Sequence, residues 1–199
     1  MNTRHEHFSS LYRASADPWQ VCTRWYERRK RAALLAMLPR AQFRRAFEPA
    51  CGNGELTLEL ARRCDRVIAG DLTADAVAIA RQRTGHLSNV EIDVREVPSD
   101  WPEGNFDLIV LSEFLYYVAI EKLPGLVHQA TGSLSEQGVI VACHWRPDSA
   151  DRSATTEQIH SLFDVCESLH KLARHEERDF LLEMWSPDGR SVMEREARE

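Results

Sequence analysis

The stretch FEPACGNGELT, Phe47 to Thr57, constrains the fold more than any other part of the chain. An apolar run ends in Glu48, a turn of small residues follows, and a helix-forming segment starts at once. RVIAGDLT, Arg66 to Thr73, repeats the pattern with Asp71 near its end. Short apolar runs alternating with stretches of helical period are the signature of βα units feeding a parallel sheet. The alternation predicts strands at 44–49, 66–71, 89–94, 106–112 and 138–144. Helices are predicted at 54–63 with Leu56, Leu60 and Ala61 inward, at 74–84 with Ala76, Ile79 and Ala80 inward, and at 119–133 with Leu123, Leu126 and Val127 inward. After the polar loop RPDSADRSATT come a helix at 155–168 and strands at 171–178 and 180–185, a hairpin that closes the sheet. Ahead of the core, CTRWYERRKRAALLAMLP reads as a helix stopped at Pro39, because proline cannot continue the hydrogen-bond ladder. The expected fold is α/β and doubly wound, with a helical extension over 1–40 and one domain over 41–199.

A chain of 199 residues, 43% of them hydrophobic, can bury one good core. Its formal charge of −6 argues against a sequence-independent grip on nucleic acid, which needs a basic face to displace counterions. No apolar run reaches the ~18 residues of a membrane span, and MNTRHEHFSS lacks the apolar core of a secretory leader. A cytoplasmic protein without a membrane partner is expected. The five cysteines are widely spaced, with no C-x-x-C, as suits reduced thiols. HEH at 5–7 reads as part of a mobile polar terminus, and no metal site is expected.

At the carboxyl end of a first strand, small residues let backbone approach a ligand, and the helix that follows offers unpaired N–H groups. The dinucleotide fingerprint G-x-G-x-x-G is incomplete here, because Gly52 and Gly54 are followed by Thr57. A pyrophosphate also has no use for a neighbouring carboxylate, so Glu48 favours a ligand with a positive or hydrogen-bond-donating group. Asp71 lies 19 residues beyond Gly52, close to the ~20 expected of an acid that accepts from ribose hydroxyls. The plain alternative is an ordinary βα turn with Asp71 capping the next helix.

EPACGNG resembles the first motif of the class I S-adenosylmethionine-dependent methyltransferases, E/D-x-G-x-G-x-G, with Ala50 in place of the first glycine. The resemblance implies a Rossmann-like seven-stranded sheet, five parallel strands plus a C-terminal antiparallel hairpin, under an N-terminal helical lid. It assigns Glu48 to the amino-acid end of S-adenosyl-L-methionine, Ala50, Gly52 and Gly54 to close approach, and Asp71 with Leu72 to the ribose. DPW at 17–19, YE at 26–27 and FDLIVLSEFLYYV at 106–118 are similar to the nodulation protein S family. By that likeness Glu96, or Asp93 if the register slips, accepts from the adenine amino group, and Val97 packs on the ring. Ser112 and Glu113 open the pocket, and Tyr116 and Tyr117 lie on the turn beyond. Trp19, Tyr26 and a cation among Arg28, Arg29 and Lys30, with Arg29 preferred, belong to the lid over the methionine part.

The same likeness implies N-methylation of a small or glycan-like amine such as an amino sugar, yielding S-adenosyl-L-homocysteine, by a monomer or homodimer. Glu113, Tyr116, Tyr117 and His144 are the candidate catalytic groups, since ligands bind at the carboxyl ends of strands in open α/β sheets. Each has a duller reading: the tyrosines as core residues with wet hydroxyls, His144 as structural, the basic cluster as a solvated helix face. Metal-independent O-methylation, or a nucleotide-binding module or inactive partner subunit, stands as the alternative. SEFLYY replaces the Asn/Asp-Pro-Pro-Tyr motif expected for methylation of DNA bases.

Overall fold

The computed structural model describes residues 3–197, so residues 1, 2, 198 and 199 of the expected lid and domain ranges lie outside it. Seven strands, β1 (Phe43–Glu48), β2 (Cys64–Asp71), β3 (Val90–Val94), β4 (Phe106–Ser112), β5 (Leu134–Trp145), β6 (His170–Glu176) and β7 (Phe180–Ser186), form one sheet. Their order is β3-β2-β1-β4-β5-β7-β6. The first five are parallel, and β7 runs antiparallel to both β5 and β6. This is the doubly wound, seven-stranded arrangement expected. The chain leaves β1 toward β2 and β3, then returns to β4 on the other side of β1, which opens a crevice at the carboxyl ends of these strands.

Helices cover both faces: α1 (Thr3–Ala14), α2 (Trp25–Met37), α3 (Glu55–Ala61), α4 (Ala74–Thr84), α5 (Leu123–Gly132), α6 (Thr156–Asp164) and α7 (Val192–Glu196). A strand buried on two faces reads as an unbroken apolar run, and FDLIVL of β4 is buried throughout. Leu108 and Val110 join the core that holds Leu34 of α2, Leu60 of α3 and Val77 of α4. Ile109 and Leu111 point the other way, to Phe47, Leu126, Phe163 and Trp185. Asp107, the one polar residue inside the run, accepts the N–H groups of Arg44 and Arg45 at 2.8 Å each and so ties β4 to the start of β1.

Several boundaries differ from expectation for identifiable reasons. The helix expected over 119–133 splits into a 3₁₀ turn, Ile120–Lys122, and α5, with Pro124 in the first turn of α5 where its missing N–H is harmless. Strand β5 begins at Leu134 rather than at 138, because Leu134 pairs with Phe106 before the register shifts. The helix expected to reach 168 stops at Asp164. The terminus expected to be mobile is helix α1, ordered by contacts far along the chain: Phe8 packs edge-on against Tyr117 at 4.9 Å, and Tyr12 is buried. Helix α7 was not expected; a reciprocal cap between Ser191 and Glu194 starts it.

Phe47 sits at the centre of the sheet, fully buried, with its ring 4.8 Å from Trp101 and 5.4 Å from Phe106. Phe47→Ala is expected to lower stability by about 3–5 kcal/mol, through lost burial and the cavity left behind, as read from the urea midpoint at constant slope.

Candidate active site

A cavity of about 1160 Å³ occupies the crevice at the carboxyl ends of β1, β2 and β4, roofed by α1, α2 and the loop between them. Its floor at one end is the glycine turn. Gly52 and Gly54 have φ of +54° and +80°, conformations that side chains resist. A methyl at Gly52 would stand 2.7 Å from the Tyr12 hydroxyl, and one at Gly54 would stand 3.0 Å from Ala80 Cα. Ala50 lines the cavity outside the left-handed region, so the first motif position tolerates a side chain without backbone strain.

Glu48, at the tip of β1, is 2% exposed, and its Oε2 accepts the Thr57 hydroxyl at 2.6 Å. Burial, with a smaller contribution from Asp71, pushes this carboxyl up to about 7. No basic side chain pairs with it among the described residues. Asp71 closes the same turn: Oδ2 accepts from Gly52 N–H at 3.1 Å, and Oδ1 accepts from the N–H and hydroxyl of Thr73. Burial raises the Asp71 carboxyl as well, against these donors. Leu72, Glu96 and Val97 line the cavity beyond Asp71. Asp93, the alternative to Glu96, instead faces Arg81 and Arg95 in ion pairs.

At the other end, β4 turns at Glu113 in the left-handed conformation, φ +59°, which is uncommon for a residue with a side chain. Its carboxylate is fully engaged: Oε1 accepts from Lys30 Nζ at 2.7 Å, and Oε2 accepts from the Tyr116 hydroxyl at 2.6 Å and from Trp145 N–H at 3.0 Å. Burial alone would pull the Lys30 ammonium down, but Glu113, Cys143 and Glu27 outweigh it and hold it above the ordinary lysine range. Tyr116 is pushed well above the usual phenol range, first by burial and then by Glu113, and therefore stays a donor. Burial and Asp151 push Tyr117 up to about 12. Ser112, Tyr26 and Trp19 also line the cavity; Trp19 meets Tyr12 edge-on at 5.6 Å.

Three expected site residues do not line the cavity: Gly54, which packs against Ala80 of α4 instead, Arg29 and His144. Arg29 pairs with Glu177 at 2.7 Å on the outer face of α2 and does not line the cavity; the next residue, about 100° around the helix, is Lys30, which lines it and pairs with Glu113. His144 does not line the cavity either. Side chains alternate along β5, so Cys143 and Trp145 face the cavity while His144 turns to the opposite face, fully buried. Burial, reinforced by His160, holds it well below the usual histidine range, which leaves it neutral and sealed from any acceptor.

Other cavity residues escaped sequence reasoning. Phe8 and Tyr12 of α1 stand one turn apart, an i,i+4 pair that the polar composition of the terminus obscured. Asn53 donates to Asp17, which also accepts from the N–H groups of Val21 and Cys22, so the Asp-Pro-Trp segment is locked onto the glycine turn.

The profile of the nodulation protein S family matches residues 6–163, most of the chain. The chain belongs to the nodulation protein S family. Nodulation protein S of Rhizobium tropici is 34% identical over 120 residues, a match that covers 57% of this chain and about half, 49%, of that protein's length. Among solved structures, a candidate methyltransferase from Pseudomonas syringae is 44% identical, with a TM-score of 0.73 over 82% of this chain and 99% of its own. The N-methyltransferase NodS of Bradyrhizobium japonicum WM9, in complex with S-adenosyl-L-homocysteine, superposes with a TM-score of 0.82 over 92% of this family member and 98% of its own chain, at 24% identity. Its fold is the one described above.

The buried Glu48 carboxyl gives a pH signature. Its pKa in the folded protein, about 7, exceeds the ordinary glutamate value of 4.5, so the folded state holds the extra proton and stability falls as pH rises between these values. Glu48→Gln keeps the acceptor for Thr57 and removes the titration. In urea unfolding of the unliganded protein, this variant is expected to match the parent near pH 4 and to exceed it near pH 8 by up to about 3 kcal/mol.

Proposed function

We propose that this protein is an S-adenosyl-L-methionine-dependent N-methyltransferase whose acceptor is a small or glycan-borne amine, such as an amino sugar. The observation that carries the reading is that one cavity joins Glu48, Gly52 and Asp71 of the acid–glycine–acid turn to the wall of Glu113, Tyr116 and Tyr117. A buried carboxyl without a basic partner suits the amino group of the cofactor's methionine part. Gly52 permits close approach while Gly54 lets the turn pack on Ala80 of α4, Asp71 suits ribose hydroxyls, and Glu96 with Val97 suits an adenine. When bound, the cofactor supplies an electrophilic methyl group on a sulfonium.

The protein's own task is to present a lone pair in line and to keep water out. Lys30 holds Glu113 in place, and the Tyr116 hydroxyl donates to Glu113. The Tyr116 oxygen, whose proton is given to Glu113, would accept an N–H from an incoming amine. As the amine gives its proton to that oxygen, Tyr116 can pass its own to Glu113, so the pair orients the acceptor and carries the proton away. Tyr117 and Trp145 offer rings against which a sugar face can stack. Of the 1–40 extension, the described residues from 3 onward serve as the lid over the following domain, a role supported by the position of Tyr12 over Gly52 and of Phe8 against Tyr117 at opposite ends of the cavity. No helix among the described residues is long and apolar enough to cross a membrane.

S-adenosyl-L-homocysteine at ~100 times its dissociation constant is expected to stabilise the protein by about 2.7 kcal/mol, and NAD to leave it unchanged. Tyr116→Phe is expected to keep that ligand's affinity within about twofold while kcat for glucosamine or a de-N-acetylated chito-oligosaccharide falls on the order of 10–100-fold. Methyl transfer to alcohols but to no amine would sink the N-methylation reading.

A further inference from the structure

Three polar side chains that the proposed transfer does not use lie shut away on the face of the sheet opposite the glycine turn: His144 of β5, His160 of α6 and Glu183 of β7, exposed by 0, 1 and 0%. Buried polar groups persist in folded proteins when each one finds its partner, and these do so in a single chain. Leu115 N–H donates to His144 Nε2 at 3.4 Å, His144 Nδ1 meets His160 Nε2 at 2.9 Å, and His160 Nδ1 meets Glu183 Oε2 at 2.8 Å. Glu183 Oε1 accepts from Lys171 Nζ at 2.6 Å and Arg174 Nη1 at 2.7 Å on β6.

The direction of every bond follows from its first donor. A backbone N–H can only donate, so His144 Nε2 accepts and, in the neutral ring, Nδ1 carries the proton. That proton is given to His160 Nε2, which leaves His160 Nδ1 to donate to the Glu183 carboxylate. Both rings are thereby held to one tautomer and one orientation.

The near end of the chain lies under the acceptor wall. Leu115 opens the 3₁₀ turn Leu115–Tyr117, and Phe114 ahead of it offers no side-chain cap. Leu115 is fully buried, which closes off water as an alternative partner for its N–H. The same imidazole lies edge-on to the Tyr116 ring at 5.6 Å, and the Tyr116 hydroxyl holds Glu113. Arg152 lies over the Tyr116 ring at 4.1 Å.

We propose that His144, His160 and Glu183 form a buried positioning relay that holds the Leu115–Tyr117 turn, and with it Tyr116 and Glu113, from β6 and β7 at the edge of the sheet. These are positioning residues, since none of them touches the cavity. The importance given to the turn rests on the proposed amine-methyltransferase reading.

His160→Phe keeps a ring in place and breaks the relay, whereas His160→Gln can still accept from His144 and donate to Glu183. In ¹⁵N-histidine spectra of the parent protein, His144 is expected as the Nδ1–H tautomer. In His160→Phe, exchange of the Leu115 amide hydrogen is expected to quicken roughly tenfold or more, while amides of β1 and β2 stay within about twofold. His160→Gln should restore most of the protection. The Nε2–H tautomer of His144, an unchanged Leu115 amide in His160→Phe, or faster exchange across the whole sheet that His160→Gln fails to restore would each overturn the relay. None of these readouts needs an acceptor, so a failed amine-transfer assay bears on the proposed function alone.

Discussion

An ammonium almost closed off from water holds the helical cap to the sheet. Lys30 projects from α2 onto Glu113 at the end of β4, with Glu27 at 3.0 Å on its other side. A buried charge pair recovers its desolvation only where the geometry is good and the remaining donors and acceptors are satisfied. Glu113 meets that condition through the Tyr116 hydroxyl and Trp145 N–H, and its own N–H bonds Cys143 O at 2.9 Å. These contacts together hold Glu113 in a left-handed backbone conformation that a side chain normally avoids, a kind of strain that tends to gather at functional sites. The helix that roofs the cavity, the turn that forms its wall and the end of β5 thus share one carboxylate.

The two ends of the cavity use carboxylates in opposite ways. Glu113 is saturated with donors and sits beside the Lys30 ammonium, which fixes its orientation against Tyr116. Glu48 has one hydroxyl for company and is shifted toward neutrality, so its environment favours a partner that brings positive charge. Asp71 lies between these extremes, ionisable but partly occupied by Gly52 N–H and Thr73, and it joins the first βα turn to the second. One sheet edge therefore offers three acids with three different electrostatic tasks.

Much of this was legible in the chain because it is local. The βα alternation, the acid that ends β1, the small turn and the acid that ends β2 are patterns within a few residues, and strand pleat with helix period turns them into positions around one crevice. The span of β4 was legible to the residue, since a strand covered on both faces needs an unbroken apolar run. The packing of helix α1 was not legible: its polar composition suited a mobile tail, and contacts with Tyr117, the glycine turn and Asp75 of α4 order it. The choice among Arg28, Arg29 and Lys30 was equally closed to sequence reasoning. Three neighbouring cations point in three directions around a helix, and the position of Glu177 and Glu113 decides which one stays outside.

His144 marks the same boundary from the other side. A histidine ending a strand beside a pocket fits the pattern of a base, yet the pleat turns it away and places its neighbours Cys143 and Trp145 in the cavity. By itself, then, the sequence determined the order of elements, the sheet and the acid–glycine–acid turn, because each follows from short-range periodicity and local backbone freedom. The tertiary structure alone decided which of the three cations lines the cavity, how the expected helical lid packs over the glycine turn, and that a histidine turns to the interior rather than to the cavity. Those outcomes depend on which groups meet across 16 to 148 positions of chain, and no local pattern encodes that distance.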